Sequence, residues 1–241
     1  MSKNIKFTAM SRRGYETQNR PVPATTLIPE WWKAMTPYDR SEKNPDGKKL
    51  FMIGGSANAT FKKCTPMLDA VTSGYILTLH ADVLVRQEEG APGPSVTWRT
   101  NDPIFDVHGT GARSIPAPVG YDNVVFKYLN TWIPRTPPGY SIMVTAPFGY
   151  HDLPFRAVPA IVDSDKSSLE LLPPMWLRDG FEGVIEKGTP LVQITPFKRE
   201  SWTSSFDYME HEDFEIMKEK NFNATLVNHY IKNHWSKKTY K

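Results

Sequence analysis

Proline constrains this chain more than any other residue. It occurs 21 times in 241 residues, against the ~5% of an ordinary chain. Each proline lacks a backbone N–H and fixes φ. It therefore interrupts helices and confines strands to edges, first positions and bulges. The prolines lie between Pro21 and Pro196 without a period, which excludes a collagen-like repeat. With 39% hydrophobic and 12% aromatic residues, the chain can build one sizeable core or two small ones. Short apolar segments between Pro/Gly turns then point to an all-β fold, a sandwich or jelly-roll core with short helices and a C-terminal helical extension.

Charge narrows the partners. Lys and Arg number 29 and Asp and Glu 26, and they are interspersed, which argues against a nucleic-acid binder. Cys64 is the single cysteine, excluding an internal disulfide framework and a Cys-cluster zinc site. No apolar run approaches the ~20 residues of a membrane span, and the start, MSKNIKF, has no hydrophobic signal core. The expectation is a soluble protein of a reducing compartment, not exported by a signal peptide and without a membrane partner.

Three regions follow. Residues 1–50 read as an N-terminal arm, polar and proline-rich around the cluster IPEWWKAM (28–35). Pro29 and Glu30 suit the first turn of a short helix. Trp31, Trp32 and Met35 could form one sticky face that anchors the arm on its own core or on a neighbouring chain. Residues 51–204 read as the β core. It begins with a short strand, FMI (51–53), and a helical turn capped by Thr65, with Pro66 at its first position, Asp69 in the capping box and Gly74 as its stop. The run 75–85 is the longest strand signal, and 95–99 returns as its hairpin partner. Strands follow over 123–128, 140–146, 157–163, 181–186 and 189–195, with 133–139 as a connection and Glu186-Lys187-Gly188 as a tight turn. Residues 205–241 contain no proline or glycine. A helix is expected over 208–220. A second, amphipathic one is expected to be capped by Asn223, with Phe222, Leu226, Val227, Tyr230 and Ile231 on its apolar side. A basic tail ends the chain.

Four blocks stand in order: CTPMLDAVTSGY (64–75), FKYLNTWIPRTPPGYS (126–141), VPAIVDSD (158–165) and GTPLVQITPFKRE (188–200). Together they resemble successive blocks of domain-of-unknown-function family 6065, over about residues 20–200. The resemblance implies a phage origin, the arm being like that of its phage members, and one continuous domain. No activity is established for the family, so it implies no catalytic residue.

Two patterns carry possible chemistry. His80 and Asp82, two apart on a strand, would share one face, as two ligands of a facial triad do in jelly-roll Fe(II) oxygenases. His108 or His151 would be the third ligand, and Arg156 would hold a 2-oxoglutarate carboxylate. Against this, Leu77, Leu79, Ala81 and Val83 would fill the buried face and leave His80 and Asp82 wet. The segment 180–193 resembles a piece of the dCTP deaminase and dUTPase superfamily, without the Ser/Arg phosphate segment or the Gly-rich C-terminal arm of those enzymes. Nucleophilic catalysis lacks a Gly-x-Ser-x-Gly motif, and Cys64 reads as a buried thiol.

No complete catalytic constellation is present, so no catalytic residue, metal ligand or cofactor is assigned. The expected interaction residues are Trp31, Trp32 and Met35. The expected function is that of a phage-encoded, non-enzymatic assembly or interaction protein in the host cytoplasm during infection, a virion component among the options. Its partner would be another protein or a further copy of itself. The alternative is a small-molecule-binding or enzymatic β-sandwich, Fe(II)/2-oxoglutarate-oxygenase-like or dCTP deaminase/dUTPase-like.

Overall fold

The computed structural model describes residues 3–38, 51–52, 55–56, 60–91, 93–109, 111, 115–225 and 229–241. The chain opens with strand β1 (Lys6–Ala9), helix α1 (Arg12–Thr17), strand β2 (Val22–Pro23) and helix α2 (Glu30–Ala34). Two short strands, β3 (Phe51–Met52) and β4 (Gly55–Ser56), precede helix α3 (Thr65–Thr72). Then come β5 (Tyr75–Thr78), β6 (Val83–Arg86), β7 (Ser95–Trp98), β8 (Phe105–Val107), β9 (Tyr121–Tyr128) and β10 (Trp132–Arg135). The strands end with β11 (Tyr140–Thr145), β12 (Phe155–Ala157), β13 (Ala160–Val162), β14 (Pro174–Arg178), β15 (Gly183–Ile185) and β16 (Pro190–Lys198), before helices α4 (His211–Thr225) and α5 (His229–Asn233). The fold is all-β with short helices and a C-terminal helical segment, as the proline density requires.

The chain divides into two compact units. One comprises Met1–Leu27, Ser73–Arg199 and Tyr240–Lys241; the other comprises Ile28–Thr72 and Glu200–Thr239. The first is the sandwich. Its sheets run β13-β11-β16-β5-β2, β12-β14-β9-β8 and β15-β6-β7, with β1 paired to β10, and every pairing is antiparallel. One core takes side chains from the three larger sheets: Leu77, Ile142, Leu191 and Ile194 from the five strands, Phe105, Phe126, Phe155 and Met175 from the four, and Val83, Val85 and Ile185 from the three. Phe105 stacks on Phe155 at 4.4 Å between centroids, an aromatic contact that adds to burial. Residues 1–27, expected within an arm, contribute β1 and β2 to this unit. The second unit holds α2, α3, α4, α5 and the β3–β4 pair.

Several elements differ from the sequence expectations. The run 75–85 is not one strand. β5 joins the five-stranded sheet and β6 the three-stranded one, with a bend at His80 and Ala81 between them. Apolar residues fill the core from both halves, so hydrophobicity stays continuous across the change of sheet. The run 157–163 likewise divides between β12 and β13, which lie in different sheets. β15 and β16 do not form a hairpin: β15 pairs with β6, and β16 with β11 and β5. The turn between them, with Gly188 at φ +91°, carries the chain from one sheet to another. The connection 133–139 begins with a strand, β10, in which Pro134 faces Phe7; a two-stranded ribbon has free edges where a missing N–H costs nothing. Pro196 lies in β16 beyond Ile194, the last residue there that pairs with β5. At the C-terminus α4 runs through Asn223, so Asn223 does not cap a new helix. Leu226 and Val227 lie outside the described residues.

Candidate functional site

The tryptophan cluster of the second unit does not form one exposed face. Neighbouring residues of a helix point about 100° apart, so Trp31 and Trp32 cannot both face the same way. Trp32 is 2% exposed and Trp31 36%, their rings meeting edge-on at 5.6 Å. Met35 is half-buried. The Lys62 ammonium donates to the Trp32 carbonyl at 2.6 Å and lies 5.8 Å from its ring centroid. Asp69, expected in a capping box, instead accepts from the Trp235 indole N–H at 2.9 Å and from Lys238 Nζ at 2.5 Å. The end of the helical region is thereby tied to α3.

The larger apolar surface of this unit lies further along. Trp202 is 85% exposed, Phe206 95% and Tyr208 79%. Met209, Phe214, Ile216, Met217, Tyr230 and Ile231 are also exposed. The first four of these nine side chains, Trp202, Phe206, Tyr208 and Met209, sit on a stretch without helix or strand, 201–210. Sequence reasoning missed this stretch; the available signal was a set of aromatics among charges with neither the strand nor the helix period.

The second candidate lies in the sandwich. His80, at the bend between β5 and β6, is 6% exposed. Its Nδ1 is 3.1 Å from the Tyr128 hydroxyl, and that hydroxyl donates its one proton to the Thr78 carbonyl at 2.9 Å. A carbonyl can only accept, so Nδ1 carries the imidazole proton and donates it to Tyr128. Nε2 is then the lone-pair nitrogen, and it is buried without a hydrogen-bond partner. Burial pushes the imidazole below its ordinary pKa; the charge of Asp102 opposes this and that of Lys187 adds to it. His80 is thus held neutral with a basic atom to spare.

The surrounding backbone is fixed. Asn19 Nδ2 donates to Thr78 Oγ1 and to the Leu79 carbonyl. Leu79 exchanges backbone bonds with Gly188 and Thr189, and Asp82 Oδ1 accepts from the Lys187 amide at 2.7 Å. His80 lines a cleft of about 680 Å³ over the three-stranded sheet, with Thr97, Trp98, Arg99 and Lys187 among its other walls. Val184, Leu84 and Thr97 stand opposite one another across β15, β6 and β7 on this side, while Val83, Val85 and Ile185 enter the core.

The expected ligand set is not brought together; of its other members only Asp82 lines the cleft with His80. Asp82 is exposed and, because of the bend, does not share a strand face with His80. Half-buried His108 and exposed His151 and Arg156 do not line this cleft, and Arg156 lies over the Tyr121 ring. Among the described residues no three His, Cys, Asp or Glu side chains come together as a metal site would require. Cys64 is a free, half-buried thiol, and no helix of the described residues is long and apolar enough to cross a membrane. No family model, curated protein or solved structure matches the chain.

Proposed function

We propose that this chain is a non-enzymatic assembly or interaction protein that associates with further copies of itself through residues 200–231. The observation that supports this is the exposure of Trp202, Phe206 and Tyr208 on one short stretch, continued by the apolar residues of α4 and α5. Folded monomers rarely leave several large aromatic side chains of one short stretch in water. Covering one large apolar side chain contributes roughly 1.5–3 kcal/mol, so three aromatics can offset much of the cost of association.

A second copy suits this stretch because the chain carries both halves of a complementary pair. Asp207, Glu210, Glu212 and Asp213 are acidic, and Lys232 and Lys237 follow them, while Glu215 pairs with Lys218 and Lys238 with Asp69 within the chain. In a two-fold pair each patch meets the other's counterpart, and the acidic stretch of one copy would face the basic one of the next. Trp31 and Met35 are secondary contacts in this reading. The four sequence blocks resembling family 6065 support a phage origin, with work in the infected cell or in the virion.

Backbone amide hydrogen exchange over 200–231, measured at low and high protein concentration, tests the proposal. Protection that rises with concentration is the expected result. Equal exchange at both concentrations would contradict it.

A further inference from the structure

We infer that residues 201–206 of one copy lie as an added strand along the free edge of β13 in a second copy, with the rings of Trp202 and Phe206 over an apolar slot beside that edge. This seat rests on the self-association proposed above and gives it a receiving surface.

β13 ends the five-stranded sheet, and among the described residues it pairs with β11 alone. Its three residues, Ala160, Ile161 and Val162, include no charge and no proline, two of the devices that ordinarily close an edge to a further strand. Only its shortness guards it. Ile161 is 68% exposed on this strand. Beside it lies a slot of about 290 Å³ walled by Val144, Val158, Ala160, Val162, Leu169 and Leu171, of which Leu169 is 77% exposed. Val144 and Leu171 belong to the core, so an apolar ring entering the slot extends the core. Glu170 is the one charged residue of the lining. The stretch 201–206, SWTSSF, is uncharged and does not oppose it.

The stretch has the form such an edge takes. From Ser201 to Glu210 the backbone shows no helix, turn or bend, and every residue is exposed. In extended backbone, side chains four apart share a side, so Trp202 and Phe206 point the same way. Six residues at ~3.3 Å each span the edge and the slot beside it. Strand addition draws on main-chain hydrogen bonds at the edge and on a pocket for alternate side chains. A second copy fits because each arm starts beside a receiving edge. Arg199, the residue before the arm, bonds to Asp163 at 3.1 Å and to Asp165 at 2.5 Å, both just after β13, and to Ser141 Oγ at 3.0 Å. Two copies related by a two-fold axis can therefore give and receive arms at the same place, and the pair closes.

Two measurements on the full chain test this. Ala160 is exposed, so Ala160→Glu spares the core and puts a charge at the slot. Sedimentation equilibrium should show association about tenfold weaker than in the parent, as exclusion of one large apolar side chain from the slot requires. Parent-like association in Ala160→Glu, beside its loss in the variant Trp202→Ser, Phe206→Ser, Tyr208→Ser, would overturn the β13 seat and leave self-association through 200–231 standing. A single-chain parent would overturn both. The second measurement does not depend on how Ala160→Glu folds. Chains with Phe206 replaced by p-benzoylphenylalanine, ¹⁴N- and ¹⁵N-labelled in equal mixture, are irradiated and digested for mass spectrometry. Crosslinks between differently labelled chains that end within residues 158–174 are the expected result. Crosslinks confined to one label, or ending elsewhere, would overturn the seat.

Discussion

His80 Nδ1 lies 3.1 Å from the Tyr128 hydroxyl, 48 residues away in sequence. This bond ties the bend between β5 and β6 to the end of β9 and sets the tautomer of the imidazole. Tyr128 is also among the largest fully buried side chains, and burial alone holds its phenol well above its ordinary pKa. Tyr128→Phe would leave the His80 Nδ1–H and the Thr78 carbonyl without their partner. The expected loss of stability is about 2–3 kcal/mol, read from urea denaturation. In the double variant with His80→Phe, part of that loss should return, since one of the stranded groups is gone. A purely additive pair would contradict the bond.

Acid should weaken the fold through His80. The unfolded chain binds a proton at the imidazole near pH 6.5. In the folded chain burial lowers that value, with Asp102 opposing and Lys187 assisting. The folded state therefore has this stability in full above about pH 6.5 and loses it as the pH falls through the lowered value. Urea denaturation at pH 7.5 and 5.0 should show a larger loss in the parent than in His80→Gln. Equal losses would contradict a buried neutral imidazole.

Gly74 separates α3 from β5 at φ +69°. A Cβ there would meet the Ile194 carbonyl oxygen at 2.0 Å, inside the five-stranded sheet. Gly90 has a similar φ, +79°, with nothing within 4 Å. Gly90→Ala should cost only the conformational penalty, about 1–2 kcal/mol. Gly74→Ala should cost distinctly more, because backbone must move as well. Equal midpoints in thermal denaturation of the two variants would contradict the close approach.

Asp69 is the anchor for Trp235 and Lys238. Asp69→Ala should release the chain end, with faster tryptic cleavage after Lys232 and Lys237 as the readout. An unchanged cleavage rate would show that these contacts do not hold it.

The β architecture was legible because proline position and turn composition are local signals. The hairpin of β6 and β7 follows from one such turn. What local signals cannot show is a change of sheet. Leu77 and Leu79 precede the bend and Val83 and Val85 follow it, and all are buried in one core; no break in apolar character marks where the chain leaves one sheet for another. His80 therefore read as a strand residue on a wet face, whereas the Tyr128 hydroxyl, supplied by a distant strand, makes its burial tolerable. The tryptophan pair was half legible: adjacency on a helix turns one ring in and the other out. The exposure of Trp202 and Phe206 was not legible, because whether an aromatic finds cover is decided by the rest of the fold.

Sedimentation equilibrium of the full chain bears most directly on self-association through residues 200–231. The chain mass is 27.4 kDa. The expected result is a whole-number multiple of that mass, falling to the single-chain value in the variant Trp202→Ser, Phe206→Ser, Tyr208→Ser. A parent protein that sediments as a single chain over the whole concentration range would contradict it.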